Sequence, residues 1–482
     1  MNPHFNSERR HEGEVPARVY ARLDSVEQIE EQHLVIGIDT VSADSADRFM
    51  DRALSADWTL GDLIAPQRPD RIREPPKPDW LGMYHDLALG QLEILLTREE
   101  ALLTFGTDEL SKQSSHWLEI ELGPGPGLVG TREGLFYPNL FTEALTTPVR
   151  RISAAQPSLA ASLQQAFSMQ DWPQHSPNQL KPYLQEAQAH IWAIYDIGQG
   201  SANGLLSEHG PVTLMHDIGC GVYRNAKTRP TGLMLCHSDP APIILSHWDT
   251  DHWAGARAFA PTWHREVFLQ RTWIAPYDST VGPRHIAFAA SILEAGGTLV
   301  ILEPGVWKSN PIALADGRSL ALIQGSGHDR NGRGIALEVT DRDPRRRWLM
   351  TGDVDYEYLA PHLASNYVGL AVPHHGARPM GAKPPRPSAP YARLAYSFGP
   401  DNSFAHPRTE SLTAHAAQGW NLGAWTSAHD VANVAGGEVL ATARHTPSST
   451  HLRAAVIGWQ GPPPTHPLPP CGTTCSAALH QS

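Results

Sequence analysis

The chain has 482 residues, 41% of them hydrophobic and 18% charged, with 14 Trp, 12 Tyr and 11 Phe, which excludes an intrinsically disordered polypeptide and leaves room for two ordinary cores. A formal net charge of −12 excludes a broad basic surface that holds long nucleic acid through its phosphates alone, though not a local basic groove. There is no run of 18 apolar residues, and Met1 to Arg22 is polar and charged without the apolar core of a secretory signal, so a cytoplasmic protein with no membrane association is expected.

In residues 1–185, apolar segments such as His33-Leu-Val-Ile-Gly-Ile-Asp39 and Leu92-Glu-Ile-Leu-Leu-Thr97 alternate with Pro-rich breaks between Pro66 and Pro78. The pattern predicts a mixed α/β domain, and no motif in it carries a chemical mechanism. A Gln- and Ala-rich stretch from Pro157 to Ala189 predicts a helical link. From Ile191 the texture changes to short β-type runs: Ile191 to Tyr195, Val212 to Met215, Pro242 to Leu245, Val267 to Leu269, Thr298 to Leu302, Leu320 to Ile323, Ile335 to Val339, Trp348 to Met350, Gly369 to Val372 and Leu394 to Ser397. Helical patterns fall at Ile286 to Ala295, Tyr356 to Ala364 and Thr409 to Gln418. Early strands in quick succession, then strands separated by helices, suit an α/β protein of the αββα sandwich type over residues 186–459. The Pro-rich segment 460–482 is expected to be disordered.

Two features weigh little on function. Of the four cysteines only Cys471 and Cys475 are close in sequence, and isolated thiols are expected. The run Arg345-Arg346-Arg347 lies between two strands and suits an exposed hairpin tip.

The strongest signal is Ile243-Ile-Leu-Ser-His247-Trp-Asp249-Thr-Asp251-His252, an apolar strand followed at once by four imidazole or carboxylate groups within six residues. A loop leaving a strand end can aim several such side chains into one small volume, and neutral imidazoles with carboxylates suit Zn²⁺, Mn²⁺ or Fe.

This run resembles the H-x-[HD]-x-D-H motif of metallo-β-lactamase fold hydrolases. Asp249 stands where most of that family has His, which resembles the ComEC-type branch, named for the competence proteins that take up DNA. Five further segments agree in order: Tyr195-Asp196-Ile-Gly198-Gln199-Gly200-Ser-Ala202, His216-Asp217-Ile-Gly219, Leu349-Met-Thr351-Gly352-Asp353, Val372-Pro373-His374-His375-Gly376 and Asn402-Ser-Phe-Ala-His406-Pro407. Together they span about residues 191–439.

The resemblance implies two divalent metal ions, Zn or Mn. His247 and Asp249 would hold the first, Asp251 and His252 the second, and Asp353 would bridge them. His374 or His375 would complete the ligand set of the second metal, with His374 favoured and the other imidazole supporting it. The third ligand of the first metal stays open between His328, in Gly325-Ser-Gly327-His328, and the Asn that the ComEC branch shows there, which Asn331 matches; His406 is the reserve. Asp196, Asp217, Asn331 and Asn402 would orient the ligands.

Two cations at such a site lower the pKa of a shared water and polarise the bond being cut. That chemistry suits phosphodiester, thioester and β-lactam hydrolysis alike; the ComEC-type resemblance implies a phosphodiesterase or nuclease, with Asp251 and His406 as its catalytic residues and His406 either protonating the leaving oxygen or binding phosphate. The N-terminal half would select the substrate or recruit a protein partner. Hydrolysis of a thioester or lactone is the first alternative. A catalytically silent scaffold in a multi-protein defence system is the second.

Overall fold

The computed structural model describes residues 2–6, 14–28, 32–53, 60–64, 81–106, 116–124, 132–208, 210–237, 239–422, 439–442 and 454–461. Cys471, Cys475 and the Pro-rich segment from 462 onward lie outside the described residues. Among the described residues no helix is long and apolar enough to cross a membrane. The chain divides into two units, one of residues 1–174 with Tyr277–Leu299 and one of His175–Pro276 with residues 300–482.

In the first unit six strands close into a barrel in the order Arg18–Gln28, His33–Ser42, Leu89–Thr97, Arg132–Tyr137, Leu145–Ala154, Leu118–Leu122, with every neighbour antiparallel. Alternate residues of a strand share one face. Val19, Ala21 and Leu23, then Leu34, Ile36 and Ile38, then Leu92, Ile94 and Leu96 accordingly form one buried cluster. The neighbouring positions Arg22, Asp24, Asp39 and Gln91 are polar and also buried. They meet the segment around the helix Pro283–Glu294. Arg284 pairs with Asp24 at 2.6 Å, Arg22 donates to the Val281 carbonyl at 2.6 Å, and His285 Nδ1 lies 3.3 Å from Asp39. Pairing is what lets these charges be buried.

The first stretch of this unit ends at Gln174, and the helix Pro283–Glu294 belongs to its second stretch, Tyr277–Leu299. Its docking depends on Asp24, Asp39 and Gln91, which lie some two hundred residues away in sequence.

The second unit is built on two mixed sheets. One runs Ala454–Ile457, Ile191–Tyr195, Ala202–Leu206, Val212–Ile218, Ile243–Ile244, Thr272–Pro276, Thr298–Leu302, Gln174–His175. The other runs Ile312–Ala313, Ser319–Gln324, Ile335–Thr340, Arg347–Met350, Gly369–Ala371, Arg393–Tyr396, Val439–Ala441. Leu205, Leu214, Ile244 and Ile274 of the first sheet share a buried cluster with Leu322, Leu337, Val339 and Trp348 of the second, so the sheets face one core. The alternate residues Ile323, Ala336, Leu349, Leu370 and Leu394 belong to a second cluster. It also holds Tyr356 and Leu359 of the helix Tyr356–Leu359 and Leu412 of the helix Thr409–Ala417.

Strand Val267–Leu269 is not formed: its residues are buried in turns and the strand begins at Thr272. Strands Ala202–Leu206 and Ala454–Ile457 were not expected. Arg345 sits at a hairpin tip, paired with Asp343 at 2.9 Å, while Arg346 pairs with Asp341 at 2.7 Å. Cys220 and Cys236 are buried.

Candidate metal centre

Parallel pairing decides where the ligand candidates meet. Val212–Ile218, Ile243–Ile244 and Thr272–Pro276 run parallel, as do Arg347–Met350, Gly369–Ala371 and Arg393–Tyr396. Their carboxyl ends carry Asp217, the loop His247 to His252, Asp353, the His374-His375 pair and the loop to His406. Sites in open α/β sheets commonly collect at that edge.

The centre is narrow. Asp353 Oδ1 lies 3.2 Å from His252 Nε2 and 3.6 Å from His375 Nε2. Asp251 Oδ2 lies 3.4 Å from His375 Nε2, and Asp251 Oδ1 lies 4.0 Å from His252 Nε2. Metal bonds of about 2.1 Å in a tetrahedral shell place ligand atoms roughly 3.4 Å apart, so this spacing suits a cation. His252 Nε2, His375 Nε2, His247 Nε2 and Asp353 Oδ1 are buried and make no hydrogen bond. Buried polar atoms are seldom left so, and these fall in two groups that share His252, one with His247 and Asp353 and one with Asp251 and His375.

The supporting bonds set the tautomers. His252 Nδ1 faces Asp217 Oδ2 at 2.8 Å, and His375 Nδ1 donates to the Ser397 carbonyl at 2.9 Å. Ser246 donates from its backbone N–H to Asp217 Oδ1 at 2.7 Å and from its hydroxyl to Asp217 Oδ2 at 2.9 Å, and so can accept from His247 Nδ1 at 3.0 Å. All three rings thus carry the proton on Nδ1 and turn the Nε2 lone pair inward, as metal-ligating imidazoles do.

Electrostatics agree with the geometry. Burial opposes a charged His252, but Asp353 and Asp217 outweigh it and raise its pKa well above the usual range. Burial likewise opposes charge on Asp353, yet His252, His375 and His374 hold its carboxyl well below the usual value. Asp217 is brought down to about 2 by His252 and His216 despite its burial. A pocket that attracts a proton this way also attracts a cation, which displaces the proton.

The backbone carries its own signal. His374 and His375 stand consecutively in the left-handed region at φ 48° and 55°, at a cost of roughly 1–2 kcal/mol each for a residue with a side chain. The pair of turns places His375 inside the cluster, 4% exposed. His374, the ligand favoured from the sequence, is 27% exposed at its side chain and comes only within 3.7 Å of Asp353 Oδ2.

The other expected residues divide. His247 Nε2 lies 3.4 Å from Asp249 Oδ2 and 3.7 Å from Asp353 Oδ2. His328 is exposed and belongs to neither ligand cluster; Asn331 is partly buried in the same loop. Asn402 clamps its loop, donating to the carbonyls of Gly399 at 2.9 Å and His406 at 2.7 Å. Asp196 is buried. His406 is buried with its ring centroid 5.6 Å from that of His374, and burial, His374 and His375 hold its pKa well below the usual range. The Gly399 N–H bonds Gln199 Oε1, which turns the Gln199 amide nitrogen to His406 Nδ1 at 3.4 Å and leaves the ring proton on Nε2.

Two contributors went unread in the sequence. Ser246 is the hub described above, and a lone Ser before a His reads as ordinary loop. Arg330, 1% exposed, donates from Nη1 to Asp249 Oδ1 at 2.7 Å. Burial opposes charge on Asp249, and Arg330 more than His247 reverses that, holding the carboxyl far below its usual range. No protein-family model matches the chain, and no curated protein matches it in sequence.

Proposed function

We propose that the second unit is a metal-dependent hydrolase of phosphodiesters, an αββα sandwich of the metallo-β-lactamase kind. The reading is carried by one observation: Asp353 Oδ1 lies 3.2 Å from His252 Nε2 and 3.6 Å from His375 Nε2, all three atoms buried and without a hydrogen bond, with Asp251 Oδ2 3.4 Å from the same His375 nitrogen. A divalent cation held there lowers the pKa of water and polarises a phosphoryl oxygen.

The chain's own groups have the remaining roles. Asp217, Ser246 and the Ser397 carbonyl fix the imidazoles. The partly exposed side chains of Asp249, Asp251 and His374 mark the side open to solvent, where substrate enters. His406, neutral with its proton on Nε2, is suited to donate a hydrogen bond to a phosphate oxygen more than to act as a strong acid. The order of the sequence motifs supports the phosphodiester class over thioesters or lactones.

The test is a substrate panel of single- and double-stranded DNA, RNA, cyclic nucleotides, a thioester and a lactone, with Mn²⁺ or Zn²⁺, wild type beside Asp251→Ala. Phosphodiester cleavage that the substitution abolishes is expected. Cleavage confined to the thioester or lactone overturns the substrate class. A protein that binds no metal and stays inactive with either ion overturns the hydrolase.

A further inference from the structure

The two halves of the ligand cluster are not equivalent. Asp251 and Asp353 offer two carboxylates beside the imidazoles of His252 and His375, a donor set suited to one divalent cation. On the other side His247 Nε2 lies 3.4 Å from Asp249 Oδ2 and 3.7 Å from Asp353 Oδ2, and the part-exposed His374 also lies 3.7 Å from that Asp353 oxygen. The second oxygen of Asp249 is already bound to a cation, the guanidinium of Arg330 at 2.7 Å. That guanidinium is 1% exposed and is permanently charged. His328, one of the candidates for a third ligand, is exposed.

We infer that the centre holds a single divalent cation, at Asp251, His252, Asp353 and His375, and that Arg330 supplies at Asp249 the positive charge that a second cation would bring. This rests on the metal-dependent reading above. A second dication at His247 and Asp249 would sit one carboxylate away from a buried guanidinium, with like charges at close range in a medium that screens them poorly. The carboxylate left to it has its charge already cancelled. The Arg330 and Ser246 contacts hold Asp249 and His247 in place without a metal, so this half contributes structure and the other half holds the ion.

The experiment is a count of bound Zn²⁺ or Mn²⁺ per full-length chain by elemental analysis and native mass spectrometry, with affinities from chelator competition. Wild type is expected to hold a single ion. Asp249→Asn, whose amide oxygen still accepts from Arg330, is expected to keep it with affinity changed less than about tenfold, whereas Asp251→Asn loses at least about a hundredfold. Arg330→Ala, if folded by circular dichroism, is expected to admit a second, weaker ion. Two ions in the wild type, or loss of the ion in Asp249→Asn, overturns the inference while leaving a metal hydrolase standing. No ion in the wild type overturns both. A folded Arg330→Ala that still holds a single ion overturns the role given to Arg330.

Discussion

Oδ2 of Asp217 stands 2.8 Å from Nδ1 of His252, with both side chains at 0% exposure. That bond orients the ring and increases its basicity toward a cation, and partners of this kind are commonly worth about 10–100-fold in metal affinity. Asp217→Asn keeps the size and tolerates the left-handed backbone at φ 62° but loses the charge. Affinity for Zn²⁺, measured by chelator competition, is expected to fall within that range while circular dichroism stays unchanged. Unaltered affinity would remove Asp217 from the site.

Gly219 follows the same strand, and a Cβ there would overlap the carbonyl oxygen of Asp251. Gly219→Ala should therefore push the Asp251 turn away from His252 and His375 even though residue 219 carries no functional group. The expected result is a loss of about 2 kcal/mol or more in stability together with weaker metal binding. Wild-type metal affinity in a folded Gly219→Ala protein would show that the turn accommodates the methyl group.

His415 gives a prediction about acid. It is buried, accepts from the Tyr356 hydroxyl at 2.9 Å through Nε2 and donates to the Ser411 carbonyl at 2.8 Å through Nδ1. Burial drives its pKa from 6.5 to about 4. The folded state thus refuses a proton that the unfolded chain accepts. The stabilisation is complete above pH 6.5 and is lost as pH falls toward 4, at up to about 1.4 kcal/mol per pH unit and about 3 kcal/mol in all. Urea midpoints for the metal-free protein from pH 7 to 4.5 should fall less steeply in His415→Gln than in wild type. Parallel slopes would contradict the assignment.

Trp459 stacks on Trp348 with centroids 3.7 Å apart and an interplanar angle of 12°, and its indole N–H donates to the Ala189 carbonyl at 2.7 Å. Removing a buried Trp costs about 3–5 kcal/mol. Trp459→Ala should lower the denaturation midpoint accordingly, read by intrinsic fluorescence, although the residue is far from the ligand cluster in sequence. A change under about 1 kcal/mol would mean that Trp348 repacks without it.

The parts of the centre legible in the sequence were those in which neighbouring residues act together. His247, Asp249, Asp251 and His252 follow one strand, and Asp353 follows another with a glycine to turn it. Arg330 was hidden because its partner Asp249 lies 81 residues away and nothing local marks an arginine for burial. That His375 rather than His374 turns into the buried cluster depends on two left-handed residues in succession, which composition and spacing do not reveal. Ser246 needed Asp217, His247 and His252 in place before its hydroxyl had a meaning. In the first unit the apolar segments His33 to Asp39 and Leu92 to Thr97 were visible, but closure into a barrel depends on the pairing of Arg18–Gln28 with Leu118–Leu122, a contact that no local pattern encodes.

The helix Pro283–Glu294 is contributed to the barrel unit by a stretch of chain flanked on both sides by the other unit. The polypeptide therefore passes from one unit to the other three times, after Gln174, after Pro276 and after Leu299. A gene broken at the first passage would leave Arg284 and His285 exposed in one product and Asp24 and Asp39 without their counter-charges in the other. Neither unit can be gained or shed at a chain end, so the barrel and the ligand-bearing sheets are inherited as one block. Substitutions in either must be tolerated in the presence of both.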